Sequence, residues 1–153
     1  MHAEVDGTRL TEQEFNSLLL LLLSAGGKST RSLIGRATLS LLGRPAQLAR
    51  LRVDSGGSGA LMSAAVEELP RFQSPLAHAR RTASGDTELG GTRIAAGDNV
   101  VMYYGAANRD PAVFDRPEEL VLDRSPNDHL AFNGGGPHFC LGAHLSQIGR
   151  AHV

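Results

Sequence analysis

Cysteine is almost absent from this 153-residue chain. Cys140 is the only one, so no internal disulfide can form, and the composition points to a reducing, cytoplasmic setting. Net charge is nearly absent too: 15 basic against 16 acidic residues leave −1, so no global positive field argues for nucleic acid or an anionic membrane surface as a partner. The opening residues, MHAEVDGTRL, have neither the basic flank nor the apolar core of a signal peptide. The apolar run from Phe15 to Ala25 falls well short of the roughly 20 residues that cross a bilayer, and it reads as a buried segment of a soluble domain. Internal repeats and low-complexity tails are also missing. What remains is a length that suits one domain with a core of its own.

The apolar run leads into SAGGKST, Ser24 to Thr30. An apolar segment, a glycine-rich turn ending Gly-Lys-Ser and then a helix is the order of a phosphate-binding loop. That pattern needs a second glycine five places before Gly27, where Leu22 stands, and a strand running into the turn. The residues argue for helix instead. Thr11-Glu12-Gln13-Glu14 has the form of a capping box, with Leu10 and Phe15 placed as a hydrophobic staple. Phe15, Leu18, Leu19, Leu22 and Leu23 then recur at helical spacing, and Leu33, Ile34, Ala37 and Leu41 resume it until Gly43 and Pro45. The spacing predicts one long helix starting at Thr11, with Gly26 and Gly27 at its middle, each costing roughly 1 kcal/mol relative to alanine. Two readings account for the pair: close packing of another helix on a smooth surface, or a local opening where a ligand lies against the backbone.

Further on, RPAQLARL reads as a brief helix, DSGGSG as a flexible connection and ALMSAAVEELPRF as a helix ending near Pro70. TELGGTRI carries a Gly90-Gly91 hairpin signal and AAGDNVVMYY a turn and a β-rich run, so a small antiparallel sheet follows. Gly105 to Leu130, crowded with proline and acidic residues, reads as an irregular connection. In EELPR, Glu68 and Arg71 stand three apart on one helix face. Most such pairs are solvated and worth at most about 1 kcal/mol.

HLAFNGGGPHFCLGAHL is more specific. Three glycines and a proline precede Cys140, and Leu141 to Leu145 reads as a helix opening, which sets the sulfur where free amides and the helix dipole favour an anion. A lone cysteine is ordinarily a small buried hydrophobe. A zinc site is a rival, since His138, Cys140 and His144 are closely spaced and His129 would complete four ligands. Adjacent glycines have no role in a zinc knuckle. They suit a backbone that must lie flat against a large planar cofactor and present amides to an iron-bound sulfur.

These residues resemble the cytochrome P450 haem-thiolate monooxygenases over essentially the whole chain. Gly-Gly-x-His-x-Cys-x-Gly, Gly135 to Gly142, is similar to the family's haem loop. The resemblance implies Cys140 as the axial ligand of heme b (iron protoporphyrin IX), Gly136 and Gly142 in the loop against it, and His138 and Arg81 as propionate contacts. It also implies that Glu68 and Arg71 are the Glu-x-x-Arg pair of a structural lock completed by Arg124, and AANRDPAVFDRPEEL is similar to the family's connecting segment. The glycine-broken helix resembles the one crossing the distal face of the haem, where Gly26 and Gly27 would mark the oxygen-binding groove and Lys28, Ser29 and Thr30 its proton-handling residues. The fold implied is α+β, mainly α: the C-terminal part of the cytochrome P450 fold, with a long distal helix, a Glu-x-x-Arg helix, a small sheet and the haem loop. The implied activity is insertion of one oxygen atom of dioxygen into a small organic substrate, with electrons from a ferredoxin or similar carrier. A haem-binding fragment without turnover and a zinc-stabilised helical domain are the alternatives.

The chain departs from the family pattern in three places. Lys28 stands where the family has an acid and Ser29 where it has a threonine; a hydroxyl can still donate, but an ammonium cannot accept and pass protons as a carboxylate does. Phe132 lies one residue further from Cys140 than in the commonest form, with Asn133 in its place. Several helices that precede this region in the family have no counterpart, and the last six residues, IGRAHV, resemble a translated sequencing adapter. The expectation is a single partial domain over 1–153, an internal fragment whose Met1 is an assembly boundary and whose residues 148–153 are foreign.

Overall fold

A computed structural model describes residues 4–5 and 7–146. The chain opens with a short antiparallel ladder, β1 (Glu4–Val5) with β2 (Thr8–Arg9), which the sequence reading had not anticipated. Helix α1 (Glu12–Leu42) follows, and its first turn is organised as its residues dictate. Thr11 is the N-cap: its hydroxyl accepts from the Glu14 amide at 3.2 Å while Glu14 Oε2 accepts from the Thr11 amide at 2.8 Å, so two orphan donors are satisfied reciprocally. The Thr11 amide first, and the Thr11 hydroxyl second, hold the Glu14 carboxyl below its usual range. The helix is uninterrupted through Gly26 and Gly27, where an added Cβ would meet nothing within 4 Å. Neither a packed neighbour nor a break in the helix accompanies the two glycines.

Helix α2 (Pro45–Asp54) begins with Pro45, whose missing N–H costs nothing in a first turn, and α3 (Ala60–Gln73) follows after a tight connection. DSGGSG is tied at both ends rather than loose: Asp54 Oδ2 accepts from the Met62 amide at 2.9 Å and Gly59 takes a left-handed φ of 68°. Pro70 does not end α3. The helix passes it to Gln73, where Ser74 turns left-handed and its amide bonds back to the Pro70 carbonyl at 2.8 Å.

The sheet region after α3 is two separate two-stranded ladders rather than one sheet. Strand β3 (His78–Thr82) pairs antiparallel with β6 (Asn99–Tyr103), from His78 opposite Tyr103 to Thr82 opposite Asn99. Between them β4 (Thr87–Leu89) and β5 (Thr92–Ile94) form the hairpin read from Gly90-Gly91, whose φ values of 56° and 77° match a turn that twists with its strands. The segment after β6 is irregular as expected, apart from one helical turn, α4 (Tyr104–Ala107), and α5 (Ala143–Ser146) follows Cys140.

The core is small. Leu51, Ala65, Phe72, Leu120 and Leu122 bury one another, with Leu41, Leu61, Met62 and Leu69 packed around them. It therefore lies where the end of α1, α2, α3 and residues 120–122 meet. The leucine run is outside it: Leu18 to Leu23 are 40 to 68% exposed, so the expectation of a buried segment is wrong for this chain. Its apolar partners are not supplied by the described residues.

Candidate functional site

The strongest local chemistry lies between α3 and the irregular segment. Glu68 and Arg71 are fully buried, not a solvated surface pair. Arg71 uses all five donors of its guanidinium. Nε and Nη2 form a fork onto Glu68 at 2.7 and 2.8 Å, and the remaining N–H groups reach the carbonyls of Asn108 at 2.7 Å, Pro117 at 2.9 Å and Glu119 at 2.9 Å. Glu68 accepts in turn from the Val121 amide at 2.9 Å, Arg124 Nε at 3.0 Å and Asn127 Nδ2 at 3.3 Å. Arg124 reaches on to the carbonyls of Arg116 at 3.1 Å and Glu119 at 3.3 Å. The three residues singled out in the sequence are thus brought together, and the arrangement anchors the irregular segment to α3 through its backbone.

Asn108, which sequence reasoning missed, extends this network. It is fully buried; its amide donates to Ser74 Oγ at 2.9 Å and its Oδ1 accepts from the Leu130 amide at 2.7 Å. The loop that Leu130 opens is tightly coiled. Asn133 and Gly134 to Gly136 all have positive φ, which favours glycine at three of the four positions. At Gly134 a Cβ would come within 2.6 Å of Leu130 Cδ2, the tip of a side chain that would have to shift, so the left-handed φ is the firmer demand for glycine there. The Cys140 amide bonds to the Phe132 carbonyl at 3.0 Å and closes the loop, leaving the thiol exposed. The sulfur sits beside Gly142, 3.7 Å from where a Cβ would stand. Phe132 itself is half-buried, its ring centroid 5.7 Å from that of His129.

On α1, Lys28 and Thr30 are exposed, and Ser29 turns its hydroxyl back to the Ala25 carbonyl at 2.6 Å. Lys28 shares a groove of about 440 Å³ with Leu23, Ser24, Gly27, Arg31 and Ser32. Arg81, on β3, is exposed and donates to the neighbouring Arg80 carbonyl at 3.0 Å; His138 is exposed within the loop.

The sequence profile of the family described as Cytochrome P450 matches residues 59–149, which take in the buried ion network and the Cys140 loop. The chain belongs to the cytochrome P450 family. It is 46% identical over 96% of its length to a methyl-branched lipid omega-hydroxylase of Mycobacterium tuberculosis, and 43% identical over 97% to a cytochrome P450 of Bacillus subtilis. Among solved structures, the Mycobacterium marinum cytochrome P450 in complex with pseudoionone superposes with a TM-score of 0.87 at 46% identity, covering 98% of this chain and 36% of that one. The Bacillus megaterium enzyme in complex with testosterone superposes at 0.86 with 37% identity. The chain spans 34% and 36% of the length of the two curated relatives.

The donor set around Cys140 suits the cytochrome P450 cofactor. Among the described residues no group of three or more His, Cys, Asp or Glu side chains could hold a metal ion. His129, His138, Cys140 and His144, the four residues of the zinc reading, are therefore not gathered into such a group. His129 is committed elsewhere: Nδ1 accepts from the Ala131 amide at 3.2 Å, so the proton on Nε2 faces Glu67 Oε2 at 3.1 Å. One exposed thiol on an open glycine loop fits a metal that brings its other ligands with it, as iron in a porphyrin does. The expected foreign tail, 148–153, lies outside the described residues.

Proposed function

We propose that this chain is the haem-binding C-terminal part of a cytochrome P450 monooxygenase acting on a small organic substrate in the cytoplasm. The observation that carries the reading is the Cys140 loop: a lone, exposed thiol on a coil of left-handed residues, in a chain whose ion network has Glu68 and Arg71 fully buried. Cys140 would hold the iron of heme b, with Gly136 and Gly142 allowing the backbone close to the macrocycle and His138 and Arg81 pairing with its propionates. When bound, the haem supplies dioxygen activation, and the sulfur supplies electron density to the iron.

The chain's own residues would do the rest. Arg71, Glu68 and Arg124 fix the backbone on which the loop is hung. Gly26 and Gly27 leave a smooth patch on α1 beside Thr30, whose hydroxyl can donate a proton, and Ser29, whose hydroxyl would first have to leave the Ala25 carbonyl. Lys28 holds a proton that it does not readily pass on, which slows delivery along that route. Electrons would come from a ferredoxin or similar carrier. A haem-binding chain without turnover is the second reading, favoured by Lys28 in place of an acid and by the one-third coverage of the relatives.

Haem loading tests the assignment. The haem-loaded, reduced, carbon-monoxide-treated chain should show the red-shifted Soret band of thiolate ligation, and Cys140→His should abolish it while retaining haem. Persistence of the shifted band in Cys140→His refutes Cys140 as the ligand.

A further inference from the structure

The residue that makes this loop longer than the family pattern is also the one that ties it down. Asn133 takes φ 79°, a left-handed value that asparagine tolerates better than most side chains. Its backbone amide bonds to the Leu130 carbonyl at 2.9 Å, and its side chain is used at both ends. Oδ1 accepts from the hydroxyl of Tyr104, a buried residue in the first position of α4, and Nδ2 donates to the His138 carbonyl at 2.6 Å. One turn after Tyr104, Asn108 holds the Leu130 amide and gives its own carbonyl to Arg71. Helix α4 therefore grips the loop at two points, through Asn108 at its start and through Tyr104 and Asn133 near its end.

We propose that Asn133 is a positioning residue for Cys140, acting as a clamp that fixes the His138 carbonyl, two residues before the sulfur, to the buried hydroxyl of Tyr104. The clamp does what the displaced aromatic cannot do from position 132, since the Phe132 ring lies against His129. Without it, the 136–139 turn would be held by the bond from the Phe139 amide to the Gly136 carbonyl and by that from the Cys140 amide to the Phe132 carbonyl, both within the loop itself. The clamp is a property of the polypeptide alone; that its purpose is to aim an iron ligand rests on the function proposed above.

Hydrogen–deuterium exchange on the dilute full chain tests it, with the segment containing Phe139 and Cys140 read against the buried part of α3. Asn133→Ala should accelerate exchange in the loop about five- to tenfold, the factor that one hydrogen bond of ordinary net strength represents, with α3 unchanged. Tyr104→Phe, which keeps the ring, should produce part of that effect, and adding it to Asn133→Ala should produce no more. Asn133→Asp keeps the acceptor for Tyr104 but loses the donor to His138, and should match Asn133→Ala. In the haem-loaded chain, Asn133→Ala should lower the fraction showing the thiolate Soret band. Unchanged loop exchange in Asn133→Ala, or effects of the two substitutions that multiply, would overturn the clamp. A parent chain without the thiolate band, but with the exchange pattern described, would overturn the haem assignment and leave the clamp standing.

Discussion

Replacing Arg71 by lysine isolates what the guanidinium fork contributes beyond its charge. Arg71 makes five hydrogen bonds, two to Glu68 and one each to the carbonyls of Asn108, Pro117 and Glu119. A lysine has three donors from one point and cannot span a planar set of acceptors. At least two acceptors are therefore orphaned. Because the bonds to Pro117 and Glu119 are only part-buried, a cost in the lower half of the usual 1–3 kcal/mol per group gives about 2–4 kcal/mol in total. At about 2–4 °C per kcal/mol for a chain of this size, the thermal midpoint should fall by about 4–16 °C. Arg71→Leu should be worse, at least about 3–5 kcal/mol, since it leaves Glu68 buried with Arg124 as its only cation. Against a typical net stability of about 5–15 kcal/mol, that loss brings the chain close to unfolding. With two tyrosines and no tryptophan, far-UV circular dichroism under urea is the suitable probe. An Arg71→Lys chain within about 0.5 kcal/mol of the parent would refute the reasoning, because it would mean that the three carbonyls are wet in solution.

Two other perturbations test features away from the ion network. Leu20, Leu21 and Leu23 are 68, 63 and 66% exposed on α1, so the isolated chain should self-associate with increasing concentration, and changing all three to glutamine should shift sedimentation toward the monomer. Identical sedimentation of the two chains would show that the leucine run is not the sticky surface. The Asp86 carboxyl is held below its usual range by the Ala96 amide first and by Arg93 second. Its folded value lies below the unfolded value of about 3.9, so its contribution is complete above that pH and disappears as pH falls through the lower folded value. Asp86→Asn should therefore forfeit that contribution at neutral pH, speeding amide exchange in the β4–β5 hairpin there, and should remove part of the hairpin's acid sensitivity below about pH 4.

Elements whose signals are local were legible in the sequence. The capping box at Thr11, the turn at Gly90-Gly91 and the stop at Gly43 each follow from residues within a few positions of one another. The Glu68, Arg71 and Arg124 trio could be named from its resemblance to a family pattern, but its burial could not, because the carbonyls that make burial tolerable lie 37 to 48 residues beyond Arg71. Pro70 misled for a related reason: its lost hydrogen bond is a local signal, and packing of Phe72 and Arg71 beyond it outweighs that signal. The run of leucines misled in the opposite sense, since hydrophobicity says that a surface wants covering and not whether anything is there to cover it. Tyr104 lies in no family motif, Asn108 reads only as part of a connecting segment, and Asn133 only as a departure in the loop. Their importance comes from position around one helical turn, which no spacing rule announces.

The partners of Glu68 lie far along the chain, at Val121, Arg124 and Asn127, separated from it by 53, 56 and 59 residues. During synthesis α1, α2 and α3 are all made before any of these has appeared. Helix α3 must therefore wait with its acid and its arginine in water, and the closing of a loop of that length comes first at an entropic cost that the network recovers only afterwards. Until then the Leu51 and Ala65 surface also lacks Leu120 and Leu122 and stays open to passing chains. A chain cut short before residue 121 would leave α3 without that seal, whereas one that includes residues 121 to 127 can close the distant segments on it together.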